Sequence, residues 1–154
     1  MPKVIKNRGE EHMLNMARVL MDQYGLKDWA LDTDRRATRA GACYESKKTI
    51  VLSVNMLRNP SISVSDVRNI VLHEIAHALV GVIHKHDEVW REKAIEIGSD
   101  GKQFHSLVFT YPKARVQCSG CYKSKVLYRL RKSWFKKVCS KCLSPIKVYW
   151  ITPR

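Results

Sequence analysis

The most informative segment of the 154-residue chain reads Leu72-His73-Glu74-Ile75-Ala76-His77-Ala78-Leu79. Ser63 followed by Asp66 resembles a helix-capping box at the start of a helix. Gly81 is expected to weaken the last turn of the same helix. The sequence therefore predicts an amphipathic helix from near Ser63 to near Gly81. Apolar residues recur along it at helical spacing: Val67, Ile70, Val71, Ile75, Ala78, Leu79 and Val82.

The HExxH motif in this helix is typical of a zinc site. His73 and His77 are one turn apart, so both imidazoles can reach one metal ion. Zinc held in this way acidifies water, and the neighbouring Glu74 is placed to take the proton as the nucleophile forms. The alternative interpretation is two structural histidines and a surface glutamate, because a bare HExxH also occurs by chance. The apolar surroundings of the motif favour the zinc interpretation.

A hydrolytic zinc site needs a third protein ligand and one open position. Three candidates for this ligand follow His77 in the sequence: His84, His86 and Glu96. The two histidines lie in a short polar link, and Glu96 lies in a second predicted helix of about residues 87–97. Spacing alone leaves all three open.

Four of the five cysteines form two CxxC pairs, Cys118 with Cys121 and Cys139 with Cys142. This pattern is typical of four thiolates around a structural zinc ion, and a segment so short and so poor in large apolar residues needs the metal to fold. Two disulfides are the alternative, but they are rare in intracellular proteins. We predict a zinc ribbon, with Cys43 left as a free thiol.

Positive charge is concentrated in the last third of the chain. Residues 1–100 carry 15 basic and 14 acidic side chains, whereas residues 101–154 carry 13 basic side chains and no acidic one. Such a field attracts polyanions by neutralising phosphates, so we expect nucleic acid as a partner. Aromatic residues among the cations favour unpaired bases. The candidate contact residues are Lys123, Lys125, Arg129, Arg131, Lys132, Trp134, Lys136 and Lys137.

Several classes of protein are excluded by composition. No run approaches the ~20 apolar residues of a membrane span, and residues 1–6 lack the apolar core of a secretory signal. No internal repeat is visible. We therefore expect a cytoplasmic, nucleoid- or DNA-associated protein with no membrane partner.

Taken together, these motifs resemble the SprT-like zinc metalloproteases, the family that includes Spartan. The segment from His86 to Trp90 resembles the family's His-Gly-Pro-x-Trp/Phe pattern, although Lys85, Asp87 and Glu88 replace the usual glycines and proline. The paired CxxC motifs resemble the ribbon of many members. Segments that resemble the strands before the zinc helix are Trp29-Ala30-Leu31-Asp32, Arg35-Arg36, Ala40-Gly41-Ala42-Cys43 and Thr49-Ile50-Val51-Leu52-Ser53.

The resemblance implies an α+β, zincin-like SprT domain over residues 1–112 and a small, basic, four-cysteine zinc ribbon over residues 113–154. A first helix near Glu10–Tyr24 would precede a small antiparallel sheet of roughly residues 29–34, 39–44 and 49–54. By this alignment His86 is the third ligand of a catalytic zinc, with His84 as the second choice. An edge strand of the sheet would pair with the extended substrate.

The implied function is that of a zinc endopeptidase that binds single-stranded or partly unpaired DNA and cleaves proteins associated with it or crosslinked to it. The cofactors would be one catalytic and one structural Zn²⁺, and Glu74 would be the general base. One alternative is a nucleic-acid-binding zinc protein whose HExxH site is not proteolytic. Another is a general peptidase in which the basic segment only aids solubility.

Overall fold

A computed structural model describes residues 8–151. Contacts within the chain divide it into two compact units, one ending at Phe109 and the other beginning at Thr110. Residues 1–6, which lack the apolar core of a secretory signal, lie outside the described residues. None of the helices within residues 8–151 is both long enough and apolar enough to cross a lipid bilayer.

The first unit combines helices with a small sheet, so the predicted α+β class is confirmed. The helix expected near Glu10–Tyr24 begins and ends within two residues of those positions. The elements are α1 (Arg8–Gln23), β1 (Ala30–Asp34), β2 (Gly41–Tyr44), β3 (Thr49–Ser53), α2 (Val54–Leu57), α3 (Val64–Val80) and α4 (Glu88–Glu96), with 3-10 turns at Glu45–Lys47 and Val82–His84.

Helix α3 carries the HExxH motif and begins and ends where the sequence indicates. Ser63 Oγ accepts a hydrogen bond from the Asp66 N–H at 3.1 Å, and Asp66 Oδ2 accepts one from the Ser63 N–H at 3.0 Å. This capping box satisfies N–H groups that have no partner inside the helix. Gly81 ends the helix with φ of 93°, a conformation that would strain a side chain.

One face of α3 is buried in the core of the first unit. Leu72, Ile75 and Ala76 have no exposed surface, and α1, α4 and the sheet supply the side chains around them. Burying a large apolar side chain contributes about 1.5–3 kcal/mol, so these contacts hold the helix firmly. His73 and Glu74 are therefore presented from a rigid element.

The sheet is mixed, which corrects the prediction of an antiparallel sheet. The strand order is β1-β3-β2, with β2 antiparallel to β3 but β1 parallel to it. The turn Glu45–Lys47 reverses the chain from β2 into β3, and β3 then lies between the two earlier strands. Ile50 and Leu52 of this central strand have no exposed surface, as expected for an apolar strand covered on both faces. Apolar patterning does not reveal the direction of a neighbouring strand.

Helix α4 follows a tight link that contains His86. Asp87 is its N-cap, since Asp87 Oδ1 accepts a hydrogen bond from the Trp90 N–H at 3.1 Å. Lys85 has φ of 49° and ψ of −111°, a conformation that favours glycine and is strained for a lysine.

The second unit is a three-stranded antiparallel sheet with two cysteine turns. Its strands are β4 (Ala114–Cys118), β5 (Ser124–Leu127) and β6 (Ile146–Trp150), in the order β5-β4-β6, and a 3-10 helix spans Lys132–Lys136. Along β4, buried Ala114 and Val116 alternate with the more exposed Arg115 and Gln117. One face of this sheet is thus packed and the other faces solvent.

Candidate metal centre and active site

Three histidines of the first unit converge on one point. His86 Nε2 lies 3.1 Å from His73 Nε2 and 3.2 Å from His77 Nε2. Helix α3 supplies His73 and His77 one turn apart, and the link before α4 supplies His86. These nitrogens form one of the two groups of side chains within residues 8–151 that could hold a metal ion.

The spacing of these nitrogens fits zinc. Two nitrogens bound at 2.0–2.1 Å to one tetrahedral zinc ion lie about 3.3–3.4 Å apart. Hydrogen bonding alone explains the cluster less well, because His86 Nε2 can donate or accept one proton but faces two other ring nitrogens. A cation at the centre satisfies all three nitrogens at once.

The other two candidate ligands lie apart from this cluster. His84 Nδ1 is 2.9 Å from Asp87 Oδ2, so its ring is turned toward the start of α4. The Glu96 side chain is 65% exposed and pairs with Lys93 at 2.6 Å. Of the three residues that spacing left open, the structure brings only His86 to His73 and His77.

The histidines are held in the neutral form that a metal ligand needs. Burial and the neighbouring imidazoles lower the pKa of His73 to about 4, and the same causes lower the pKa of His77 to about 4. Burial also lowers the pKa of His86. Neutral imidazoles keep their lone pairs available to a cation, so little proton release is needed on binding.

Trp90 packs against all three imidazoles. Its ring centroid lies 4.6 Å from those of His73 and His86 and 5.2 Å from that of His77, which it stacks against at 25°. Trp90 is 1% exposed, so its position is fixed by the core. A buried aromatic ring in this place restricts how the three ligands can turn.

A segment that follows α4 also orients His73. Asn69 lies one turn before His73, and its Oδ1 accepts hydrogen bonds from the Asp100 N–H at 2.9 Å and from Ser99 Oγ at 3.1 Å. These bonds hold residues 99 and 100 against α3, and the backbone of Lys102 partly opposes the lowering of the His73 pKa. A backbone partner near a ligand histidine favours one tautomer of its ring.

Glu74 lies beside the histidines in a tight space. Its side chain is buried, and burial raises its pKa to about 8, partly opposed by the charge of Arg39. A Cβ placed on Gly41 would lie 3.0 Å from both Glu74 Cγ and Glu74 Oε1. Strand β2 therefore passes close to the carboxyl group, and a side chain at position 41 would require Glu74 to shift by a few tenths of an ångström.

A cleft of about 670 Å³ opens over the histidines and Glu74. One wall comes from residues 38–43, at and before the edge strand β2, and another comes from residues 100–107. The polar side chains of the cleft are Thr38, Arg39, Asp66, Asn69, Asp100, Lys102, Gln103, His105 and Ser106.

A family comparison agrees with this geometry. The model of the SprT-like family matches residues 9–110, about two thirds of the chain. The chain belongs to the SprT-like family. Membership supports a zincin-like, metalloprotease-type function for the first unit. A search of curated proteins found no match.

Outside the SprT-like match, the four paired cysteines form a second candidate metal site. Cys118 Sγ lies 3.3 Å from Cys142 Sγ, and Cys121 Sγ lies 3.7 Å from Cys139 Sγ. These distances exceed a disulfide bond of about 2.05 Å and are close to the ~3.8 Å between sulfurs on a tetrahedral zinc. The four cysteines are free, so the alternative of two disulfides does not hold in this structure. Both the histidine group and the cysteine group are compatible with zinc.

Each cysteine pair lies in a turn that suits a metal. The N–H groups of Gly120 and Cys121 donate to Cys118 Sγ at 3.3 and 3.4 Å, and the Lys141 N–H donates to Cys139 Sγ at 3.4 Å. Donated hydrogen bonds favour the thiolate form that zinc binds. The backbone hydrogen bonds to Cys139 accordingly lower its pKa, whereas at Cys118 the backbone hydrogen bonds are outweighed by burial and by the neighbouring Cys142 and Cys121, which raise the pKa to about 11.

The predicted nucleic-acid contacts are spread over the second unit. Trp134 is half-buried, and Lys137 Nζ lies 4.1 Å from the centre of its ring. The other predicted residues are exposed, along β5, the loops and the 3-10 helix: Lys123, Lys125, Arg129, Arg131, Lys132, Lys136 and Lys137.

Sequence reasoning missed several residues that shape the SprT-like site. The position of Asn69 near the site could have been inferred from the sequence, because it lies four residues before His73 and hence on the same face of the helix. Gly41 was noted only as part of a strand. The wall formed by residues 100–107 has no periodic pattern that would indicate contact with the cleft, and within it only His105 could be considered a residue that approaches the site.

Proposed function

We propose that this protein is a zinc-dependent endopeptidase that binds DNA and cleaves proteins associated with it or crosslinked to it. The observation that carries the proposal is the convergence of His73, His77 and His86 beside Glu74 in an open cleft. One zinc ion would bind these histidines and a second would bind the four cysteines.

The histidine site supplies the chemistry. His73, His77 and His86 would hold a zinc ion, and the bound ion would supply Lewis-acid activation of a peptide carbonyl and of water. Trp90 packs against all three imidazoles and keeps them in place.

Glu74 moves the proton. Its carboxylate, which a zinc ion on the histidines would help to keep ionised despite burial, takes a proton from the attacking water and then delivers that proton to the nitrogen of the departing peptide strand. Burial under β2 keeps bulk water from competing for the carboxyl group. This role needs no direct bond between Glu74 and the metal.

The substrate would bind along β2. This strand forms an edge of the sheet, and Ala40, Gly41 and Cys43 line the cleft. An extended peptide can add to such an edge through main-chain hydrogen bonds, which do not depend on side-chain identity. Low sequence specificity suits an enzyme that removes many different proteins from DNA.

The charge of the second unit supports DNA as the partner. Residues 110–154 carry 12 basic side chains and no acidic one. A cationic ribbon tethered to a protease raises the local concentration of DNA-bound substrates around the cleft. We propose that the protein is located on DNA for the same reason.

The test compares cleavage of a basic DNA-binding protein by wild type and by Glu74→Gln, with and without single-stranded DNA. We expect DNA-dependent cleavage by wild type and none by Glu74→Gln, with equal zinc content in both. The stimulation should fade as salt rises, because DNA binding releases counterions.

Other outcomes select the alternatives. Tight DNA binding with no cleavage by wild type would indicate a nucleic-acid-binding zinc protein with a non-proteolytic site. Cleavage that is unchanged by DNA would indicate a general peptidase. Equal cleavage by Glu74→Gln would remove Glu74 from the mechanism.

A further inference from the structure

The sheet β5-β4-β6 of the second unit has one face that is exposed to solvent. Residues paired across antiparallel strands point to the same side of a sheet. Arg115 is paired with Val126 on one neighbour and with Tyr149 on the other. The next row that points to this side contains Gln117, flanked by Ser124 and Lys147.

These six residues, here termed the open face, differ sharply from those on the other side. Ala114, Val116 and Leu127 on that other side are buried, at 0%, 4% and 7% exposure. On the open face only Gln117 is half-buried, and the rest are exposed. The open face consists of Arg115, Gln117, Ser124, Val126, Lys147 and Tyr149.

We propose that the open face binds single-stranded DNA, with an unpaired base stacked on Tyr149 and phosphates held by Arg115 and Lys147. The proposal rests on the proposed function, and it names where the DNA binds. Gln117 is next to Lys147 in the register, and while its Nε2 donates to the Tyr122 carbonyl at 3.4 Å, its Oε1 can accept a hydrogen bond from the edge of the stacked base.

The chemistry of the open face favours an unpaired strand. Tyr149 is 47% exposed on the sheet, and a shallow concavity of about 400 Å³ is lined by Tyr149, Arg115 and Gln117 together with Trp150 and Ile151. An aromatic ring can stack on a base only when that base has left the duplex. The side chains of Arg115 and Lys147 make no salt bridge within residues 8–151, so both charges are available to phosphates.

A comparison with Trp134 strengthens the assignment to Tyr149. The Lys137 ammonium group lies 4.1 Å from the Trp134 ring centre, so one face of that ring already has a cation partner. Trp134 also lies on the 3-10 helix and not on a flat sheet. The lysines around it can still attract phosphates without stacking a base.

The experiment measures binding of a short fluorescein-labelled oligothymidylate to the full chain by fluorescence anisotropy over a range of salt concentrations. We expect Tyr149→Leu to weaken binding roughly 5- to 150-fold without changing the salt dependence, because it removes stacking and no charge. Tyr149→Phe should bind like wild type. Arg115→Gln and Lys147→Gln should each weaken binding and lower the slope of log affinity against log salt by about 1.

The controls separate this proposal from the proposed function. Lys27→Gln removes one exposed charge from the first unit and should leave binding unchanged. If wild type binds DNA but Tyr149→Leu and Arg115→Gln bind equally well, the open face is not the site, while the proposed function stands. If wild type shows no salt-dependent binding at all, the DNA part of the proposed function fails as well. Tighter binding to duplex than to single-stranded DNA also overturns the role given to Tyr149.

Discussion

Gly41 shows how a single residue can set the position of the general base. A Cβ at this position would lie 3.0 Å from Glu74 Cγ and Oε1 and 3.2 Å from Ile70 Cγ2. Ile70 is in the core and cannot move far, so Gly41→Ala must displace Glu74. We expect the cleavage rate to fall by up to about 100-fold with zinc content unchanged, as measured by kcat and metal analysis.

A neighbouring substitution provides the control. Ala42→Ser adds one atom to the same strand at the position that points to the other side of the sheet, and it should leave kcat near the wild-type value. If Gly41→Ala also cleaves at the wild-type rate, Glu74 has room to move and its close contact with β2 is not needed for activity.

At this scale the sequence predicted the residues whose chemistry follows from spacing. His73 and His77 required only the period of a helix, and the four cysteines required only the CxxC pattern. The choice of His86 over His84 required the family alignment or the structure, because both lie in one short link. Gly41 was beyond prediction, since its importance comes from a contact with a residue 33 positions away.

The start of α4 is an element on which part of the metal site depends. Asp87 caps the helix through the Trp90 N–H and pairs with His84, and it follows His86 directly. Asp87→Ala removes the cap, and we expect the free energy of unfolding to fall by about 1 kcal/mol. Chemical denaturation of the zinc-loaded protein measures this change through its midpoint.

Asparagine at the same position separates the two roles of Asp87. Asn is as good an N-cap as Asp, so Asp87→Asn should keep nearly all of the stability while losing the negative charge beside His84. A loss in Asp87→Asn as large as that in Asp87→Ala would mean that the pair with His84, and not the cap, stabilises this link.

Helix ends could be predicted because their signals are local, whereas strand arrangement could not. Ser63, Asp66 and Gly81 mark the bounds of α3 in the sequence and in the structure. The parallel pairing of β1 with β3 depends on which strand enters the centre of the sheet, and no residue of β1 encodes that choice. The cleft wall of residues 100–107 is likewise held in place by contacts and not by local propensity.

The two units differ in what stabilises them. Within residues 8–109, the core cluster of the first unit contains 21 buried hydrophobic residues. In the described part of the second unit the buried hydrophobic residues are Ala114, Val116, Cys118, Leu127 and Cys139, and two of these are candidate metal ligands. So small a core cannot offset the conformational entropy of ordering the chain, so the second unit should fold only with its metal.

This difference predicts that removing metal from the four-cysteine site affects the second unit and not the first. In the double variant Cys118→Ser with Cys121→Ser, we expect one fewer zinc per chain and an unfolded second unit, because two serines cannot replace two thiolates. Limited digestion with trypsin should cut beyond Phe109 and leave the first unit intact, and DNA should no longer stimulate cleavage. Cleavage of a short peptide should persist, since the histidine site lies entirely in the first unit.

Cys43→Ser is the matched control and should keep the second unit resistant to trypsin. Resistance of the second unit in the double variant would show that its apolar contacts suffice without metal.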